Sequence, residues 1–284
     1  MIHEVLTIQT PGESEAGRLY TYFWSPSREL DYGNKRPVIL LCPGGAYERT
    51  SDVEAEGIAL RFMSMGYHTA VLRYSCGKGI HYPTALLQLA ASVALLRERA
   101  DEWGILKDQI IVQGSSAGGH LAACLAVFWK KDRELAGRLG KTSEDIRPNG
   151  LMLSYPVITS GEFAHKGSFH NLLGDRYEEM KDRMSLEKQV SSDVPTVFLW
   201  HTLADGTVPA ENSLLFLGAL RKAGVPAEFH LFPEGKHGLG LADRMTSKNG
   251  SVEKPLACSV WPELGQNWLD HFFPWYGAGK SNQV

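Results

Sequence analysis

The sequence predicts an α/β fold: about eight short strands in a mostly parallel sheet, with helices on both faces. Three observations carry that expectation. Short apolar strands alternate with helical periods along most of the 284 residues. Pro37-Val38-Ile39-Leu40-Leu41-Cys42 is apolar throughout, as a strand buried on both faces must be. The run Ile110-Ile111-Val112-Gln113-Gly114-Ser115-Ser116-Ala117-Gly118-Gly119-His120 passes from strand through a tight turn into a helix. With 43% hydrophobic and 21% charged residues the composition is that of an ordinary globular protein, and a single domain over residues 1–284 is expected.

In chain order, residues 2–10 and 19–24 predict an antiparallel hairpin at the sheet edge, joined through the turn-rich Pro11-Gly12-Glu13-Ser14. Residues 28–36 form a polar loop before the buried strand 37–42. Residues 52–65 predict a helix capped by Ser51 or Asp52, acidic in its first turn at Glu54 and Glu56, apolar at Ile58, Phe62 and Met65, and stopped by Gly66. A strand follows over 67–74. Residues 83–103 predict an amphipathic helix with Leu86, Leu89, Ala90, Val93 and Leu96 on one face and Gly104 at its end. After the strand and helix around Ser116, further strands are expected at 150–155, 194–201 and 227–232, and helices at 209–223 and 261–272. Residues 157–193 break the rhythm, being long, charged and irregular, which marks a lid insertion whose aromatics Phe163, Phe169 and Tyr177 give it order. The end, 277–284, is expected to fray.

Charge and cysteine usage narrow the function classes. Lys and Arg number 29 against 32 Asp and Glu, a net charge of −3, so there is no electrostatic footprint for nucleic acid or an anionic membrane. The first residues lack a basic region followed by a long apolar run, and no apolar stretch approaches ~18 residues; a cytoplasmic location is expected. Cys42, Cys76, Cys124 and Cys258 lie far apart with no Cys-x-x-Cys or His-Glu-x-x-His among them, which reads as reduced core residues with neither metal nor cofactor.

Chemistry is expected at the Gly-x-Ser-x-Gly turn. Its backbone is too tight for side chains at 114 and 118, Ser116 stands at the strand's C-terminal end with its Oγ exposed, and the Ala117 N–H points from the helix N-terminus toward any oxyanion formed beside it. Pro43-Gly44-Gly45-Ala46-Tyr47, directly after a buried strand, offers the N–H groups of Gly45 and Ala46 as further donors. A serine hydroxyl needs a base, and the base needs an orienting group. His237 is the best-placed base, in the glycine-flanked loop Glu234-Gly235-Lys236-His237-Gly238, whereas His120, one turn into the helix, suits packing or orientation of the turn. His201, His165 and His170 are candidates for substrate contact or for structural roles. Asp205 is the candidate acid, in a loop after the penultimate strand, with a helix-capping role as its alternative; Asp193 lies at the wrong end of that strand, and Asp243 and Asp270 follow the histidine.

With Pro43-Gly44-Gly45-Ala46-Tyr47, Gly114-Ser115-Ser116-Ala117-Gly118-Gly119-His120, His201-Thr202-Leu203-Ala204-Asp205-Gly206-Thr207-Val208-Pro209 and Gly235-Lys236-His237-Gly238 in this order, the chain resembles the α/β-hydrolase carboxylesterases related to hormone-sensitive lipase, within them the bacterial acetyl-xylan and feruloyl esterase-like group. The resemblance implies the α/β-hydrolase fold, Ser116 as nucleophile, His237 as base, Asp205 as orienting acid, and Gly45, Ala46 and Ala117 as oxyanion donors. Two departures stand out: Pro43 replaces the histidine of the lipases' His-Gly-Gly-Gly and Ala46 its last glycine, and the N-terminal region leaves no room for a large helical cap. Both point to small esters of polar alcohols. The expected substrate is therefore a small-molecule ester, an acetylated sugar or xylo-oligosaccharide, with Tyr47 and His201 as contacts; no cofactor is implied, and a homodimer is compatible with the sequence.

Two rival readings are a peptidase of the prolyl-oligopeptidase type, for whose gating domain the chain has no space, and a hydrolase fold kept for binding alone, which an intact triad argues against. Ser185-Leu186-Glu187-Lys188 matches Ser-x-x-Lys without its companion motifs and reads as a helix N-cap, and Asn249-Gly250-Ser251 reads as a turn.

Overall fold

The structure, a computed structural model, describes residues 1–29, 35–248 and 254–275. The Asn249-Gly250-Ser251 turn, the 277–284 terminus and residues 30–34 of the polar loop lie outside the described residues. The described strands are β1 (Val5–Ile8), β2 (Gly17–Tyr22), β3 (Arg36–Cys42), β4 (His68–Arg73), β5 (Ile105–Ser115), β6 (Gly150–Ser154), β7 (Thr196–Thr202) and β8 (Ala227–Phe232). They form one eight-stranded sheet in the order β1-β2-β4-β3-β5-β6-β7-β8. The β1–β2 and β2–β4 pairs are antiparallel and all others parallel, so the expected mostly parallel sheet with an N-terminal edge hairpin is what forms.

The helices are α1 (Glu56–Ser64), α2 (Thr84–Glu98), α3 (Ala100–Trp103), α4 (Ser116–Phe128), α5 (Arg133–Arg138), α6 (Lys166–Leu173), α7 (Tyr177–Met180), α8 (Glu211–Lys222) and α9 (Trp261–Phe272). Alternation along each strand divides the core into two layers. Val38, Leu40 and Cys42 of β3 pack with Leu89 and Val93 of α2, Leu121 and Leu125 of α4 and Phe216 of α8. Ile39 and Leu41 turn the other way, toward Ile58 and Phe62 of α1 and Trp261 and Trp268 of α9. Helices thus cover both faces, which is why β3 reads as continuously apolar.

The strand order creates the site's location. From β3 the chain crosses through α1 to β4 on one side, then returns through α2 to β5 on the opposite side of β3. The loops after β3 and β5 consequently diverge at the carboxyl edge and leave a crevice between them. Pro43-Gly44-Gly45 and Ser116 both stand there.

Three element boundaries depart from expectation. The helix expected at 52–65 begins only at Glu56, with Ala55 at its N-cap and no side-chain cap; Ser51 N–H instead bonds Gly44 O and Asp52 pairs with Arg73. Residues 83–103 form two helices, broken at Arg99 and closed by Gly104 at φ 65°. Ser185 does not cap: its Oγ donates to Glu187 Oε1 and accepts the Ser160 N–H. The segment 157–193 holds α6 and α7 and two short 3-10 turns, and Phe169 and Leu173 of α6 pack into the larger core layer.

Candidate active site

Steric demand fixes the turn at Ser116. A Cβ on Gly118 would lie 2.0 Å from Cys42 O, and one on Gly114 would lie 2.2 Å from Gly118 O, so both positions exclude any side chain. Ser116 itself takes a left-handed φ of 55°, a conformation that costs a non-glycine residue about 1–3 kcal/mol and that the packed strand and helix on either side enforce. The strain lifts the Ser116 side chain out of the strand line into the crevice.

There the loops after β7 and β8 meet it. Ser116 Oγ donates to His237 Nε2 at 2.7 Å, and His237 Nδ1–H donates to Asp205 Oδ2 at 2.6 Å; the tautomer follows from the carboxylate being able only to accept. Asp205 divides its oxygens. Oδ1 accepts the N–H groups of Thr207 and Val208, the turn-capping role, while Oδ2 serves His237. Burial would push the Asp205 carboxyl up, but hydrogen bonds from His201, His237 and the Val208 N–H outweigh it and hold the group well below the usual carboxylate range.

Gly45 and Ala46 border the same cleft of about 180 Å³ as Ser116, His237 and His165. The backbone is left-handed at Gly45 (φ 128°), Ala46 (57°) and Tyr47 (56°), which coils this loop against the cleft. Ala117 is the second residue of α4, next to Ser116, where first-turn N–H groups have no intrahelical partner. His165, at the N-cap of α6, accepts from Ser168 and brings segment 157–193 to the cleft edge; burial lowers its pKa, and the nearby His237 lowers it further. His170 stacks on Tyr177 at 4.1 Å.

Two expected substrate contacts are corrected. Tyr47 is 2% exposed, its hydroxyl donating to His120 Nδ1 at 3.0 Å, and packs into the core. His201 is fully buried, its Nε2–H donating to Val208 O and lying 3.4 Å from Asp205 while Nδ1 accepts from Ser213. Neither presents an atom to a ligand in the cleft. Two neighbours of the Ser116–His237–Asp205 chain are not among the residues the sequence singles out for the site. Glu54 is buried and accepts the Gly44 N–H at 2.9 Å. Tyr155 packs its ring edge-on against His237, centroids 5.1 Å apart, and its hydroxyl accepts the Gly240 N–H. Tyr155 follows β6 at the carboxyl edge, a position that could have flagged it; Glu54 looked like any first-turn acid.

Among the described residues no cluster of His, Cys, Asp or Glu could hold a metal ion, and no helix is long and apolar enough to cross a membrane.

The chain has clear relatives. The BD-FAE family model matches residues 29–220. Endo-1,4-beta-xylanase B of Butyrivibrio fibrisolvens is 36% identical over 213 residues, 74% of this chain and 33% of that protein, so the chain spans about a third of that relative's length. The solved acetyl ester-xyloside bifunctional hydrolase of Caldicellulosiruptor lactoaceticus is 32% identical with a TM-score of 0.79, covering 94% of this chain and 96% of that one. The carboxylesterase Cest-2923 of Lactobacillus plantarum WCFS1 is 28% identical with a TM-score of 0.82, covering 95% and 98%. The expected fold resemblance is thereby shown.

Proposed function

The chain belongs to the BD-FAE family, and from that membership we propose that it is a serine carboxylesterase that removes short acyl groups, acetyl above all, from sugars or xylo-oligosaccharides. The observation that carries the reading is the unbroken hydrogen-bond chain Ser116–His237–Asp205 opening on a cleft bordered by Gly45 and Ala46. His237 takes the Ser116 proton as Oγ attacks the ester carbonyl. The N–H groups of Gly45, Ala46 and Ala117 hold the oxyanion, and the alcohol leaves with the proton from His237. Water, deprotonated by the same imidazole, then releases the acid. No metal or organic cofactor enters this scheme.

The preference for small acyl groups is supported by the cleft's 180 Å³ and by the Ala46 methyl where lipases carry glycine. We assign segment 157–193 as a lid on the strength of His165 at the cleft edge. The sugar alcohol rests on the likeness to the xyloside-active hydrolase and the xylanase. Four free cysteines suit a reducing compartment, and we place the protein in the cytoplasm.

The test is hydrolysis of p-nitrophenyl acetate, butyrate and octanoate beside acetylated xylo-oligosaccharide, with Ser116→Ala and His237→Ala in parallel. The expected result is fast acetate cleavage, a steep fall by octanoate, acetate release from the sugar, and turnover abolished in both folded variants. Activity surviving in either variant contradicts the triad, and silence on all four esters favours an amide substrate.

A further inference from the structure

Between the Gly44 turn and the His237 loop lies a carboxyl group that the triad does not use. Glu54 is 3% exposed, and its Oε2 accepts the Gly44 N–H at 2.9 Å. The fit is close: a Cβ on Gly44 would lie 2.7 Å from Oε2, and one on Gly238 would lie 3.9 Å from Oε1. On its other side Glu54 meets the Tyr155 hydroxyl, which also accepts the Gly240 N–H. The Tyr155 ring packs against His237. One acid thus touches the loop of the candidate oxyanion donors and, through one tyrosine, the loop of the candidate base. It also borders the cleft itself.

A buried carboxyl is costly unless its charge is used. If packing alone mattered here, glutamine would fill the same space. We propose that Glu54 is a positioning residue of the hydrolytic centre: its carboxylate pins the Gly44 peptide, so that the Gly45 and Ala46 N–H groups face the oxyanion, and its charge joins that of Asp205 in holding the His237 imidazolium. The proposal rests on the esterase reading above. In the attack step His237 becomes cationic inside a crevice of low dielectric, where a second anion stabilises it without rearrangement. The groups facing Glu54 are His237, Tyr155, Lys248 and Tyr74. Burial raises the Glu54 pKa; His237, the Tyr155 hydroxyl, the Gly44 N–H and Lys248 each offset part of that rise.

The deciding variant is Glu54→Gln, which keeps the shape and removes the charge. On p-nitrophenyl acetate kcat falls about 10- to 100-fold with KM within about twofold, while thermal unfolding stays close to that of the parent. The His237 imidazole, followed by nitrogen NMR, titrates at a lower midpoint than in the parent, because the cation has lost an anionic neighbour. A fall in kcat without that shift makes Glu54 structural only and overturns the proposal, as does an unchanged kcat. If Glu54→Gln does not fold, Glu54→Asp decides: it keeps the charge but withdraws it from Gly44, so kcat falls while the His237 midpoint holds. Parental kcat in folded Glu54→Asp overturns the proposal. Failure of the esterase reading is distinguishable, because the parent enzyme is then silent on every ester while the imidazole titration still reports on Glu54.

Discussion

Asp205 shows most plainly how one side chain carries two readings. Its Oδ1 closes the turn ahead of α8 through Thr207 and Val208, and its Oδ2 receives the His237 Nδ1–H. Asparagine can still close the turn, but an amide nitrogen facing His237 donates rather than accepts and selects the tautomer that cannot take the Ser116 proton. Asp205→Asn is therefore expected to fold normally and lose ~10⁴-fold in kcat, read by steady-state kinetics beside a melting curve. A loss under about tenfold contradicts the orienting role. At this scale the sequence was informative where chemistry is written in local motifs, and Ser116, Asp205 and His237 are brought together as expected. It misled at Tyr47 and His201. A residue beside a strand end faces either the crevice or the layer behind it, and one position of register decides which; both face the layer behind. Glu54 was invisible for a related reason, because its partner Gly44 is ten residues away and its neighbour Tyr155 comes from another strand.

At the scale of elements, α4 connects the Ser116 turn to the inserted segment. His120, one turn into α4, donates Nε2–H to Met184 O and accepts the Tyr47 hydroxyl. Burial pulls its pKa down to about 4, and burial does the same to His68 on β4. The unfolded chain binds a proton at each near 6.5 while the folded one does not until about 4. Protonation therefore favours unfolding as pH falls through that window, and stability rises with pH across it. Each histidine is expected to remove about 2 kcal/mol between pH 8 and pH 5. Urea unfolding at the two pH values checks this: His120→Gln should be less stable at pH 8 yet lose about 2 kcal/mol less than the parent on acidification. An identical pH dependence in the variant contradicts the buried neutral imidazole. The helix periods were legible because each amphipathic face packs on the sheet. The start of α1 was not, since Ser51 and Asp52 look like caps until tertiary contacts with Gly44 and Arg73 claim them.

For the whole molecule, the crossing from β3 to β4 and back to β5 places the Gly44–Gly45 turn opposite Ser116, and parallel pairing of β5, β6, β7 and β8 delivers Asp205 and His237 to the same edge. Four short motifs far apart in sequence become one site because the strands that precede them share a direction. The proposed mechanism requires that Ser116 become covalently acylated. Mass spectrometry of the protein quenched in acid during p-nitrophenyl acetate turnover tests it most directly. The expected result is a 42 Da adduct, the mass of an acetyl group replacing hydrogen, on the peptide of the parent protein that contains Ser116, and no adduct in Ser116→Ala. Rapid turnover with the adduct on a different residue, or with Ser116→Ala as active as the parent, would contradict it.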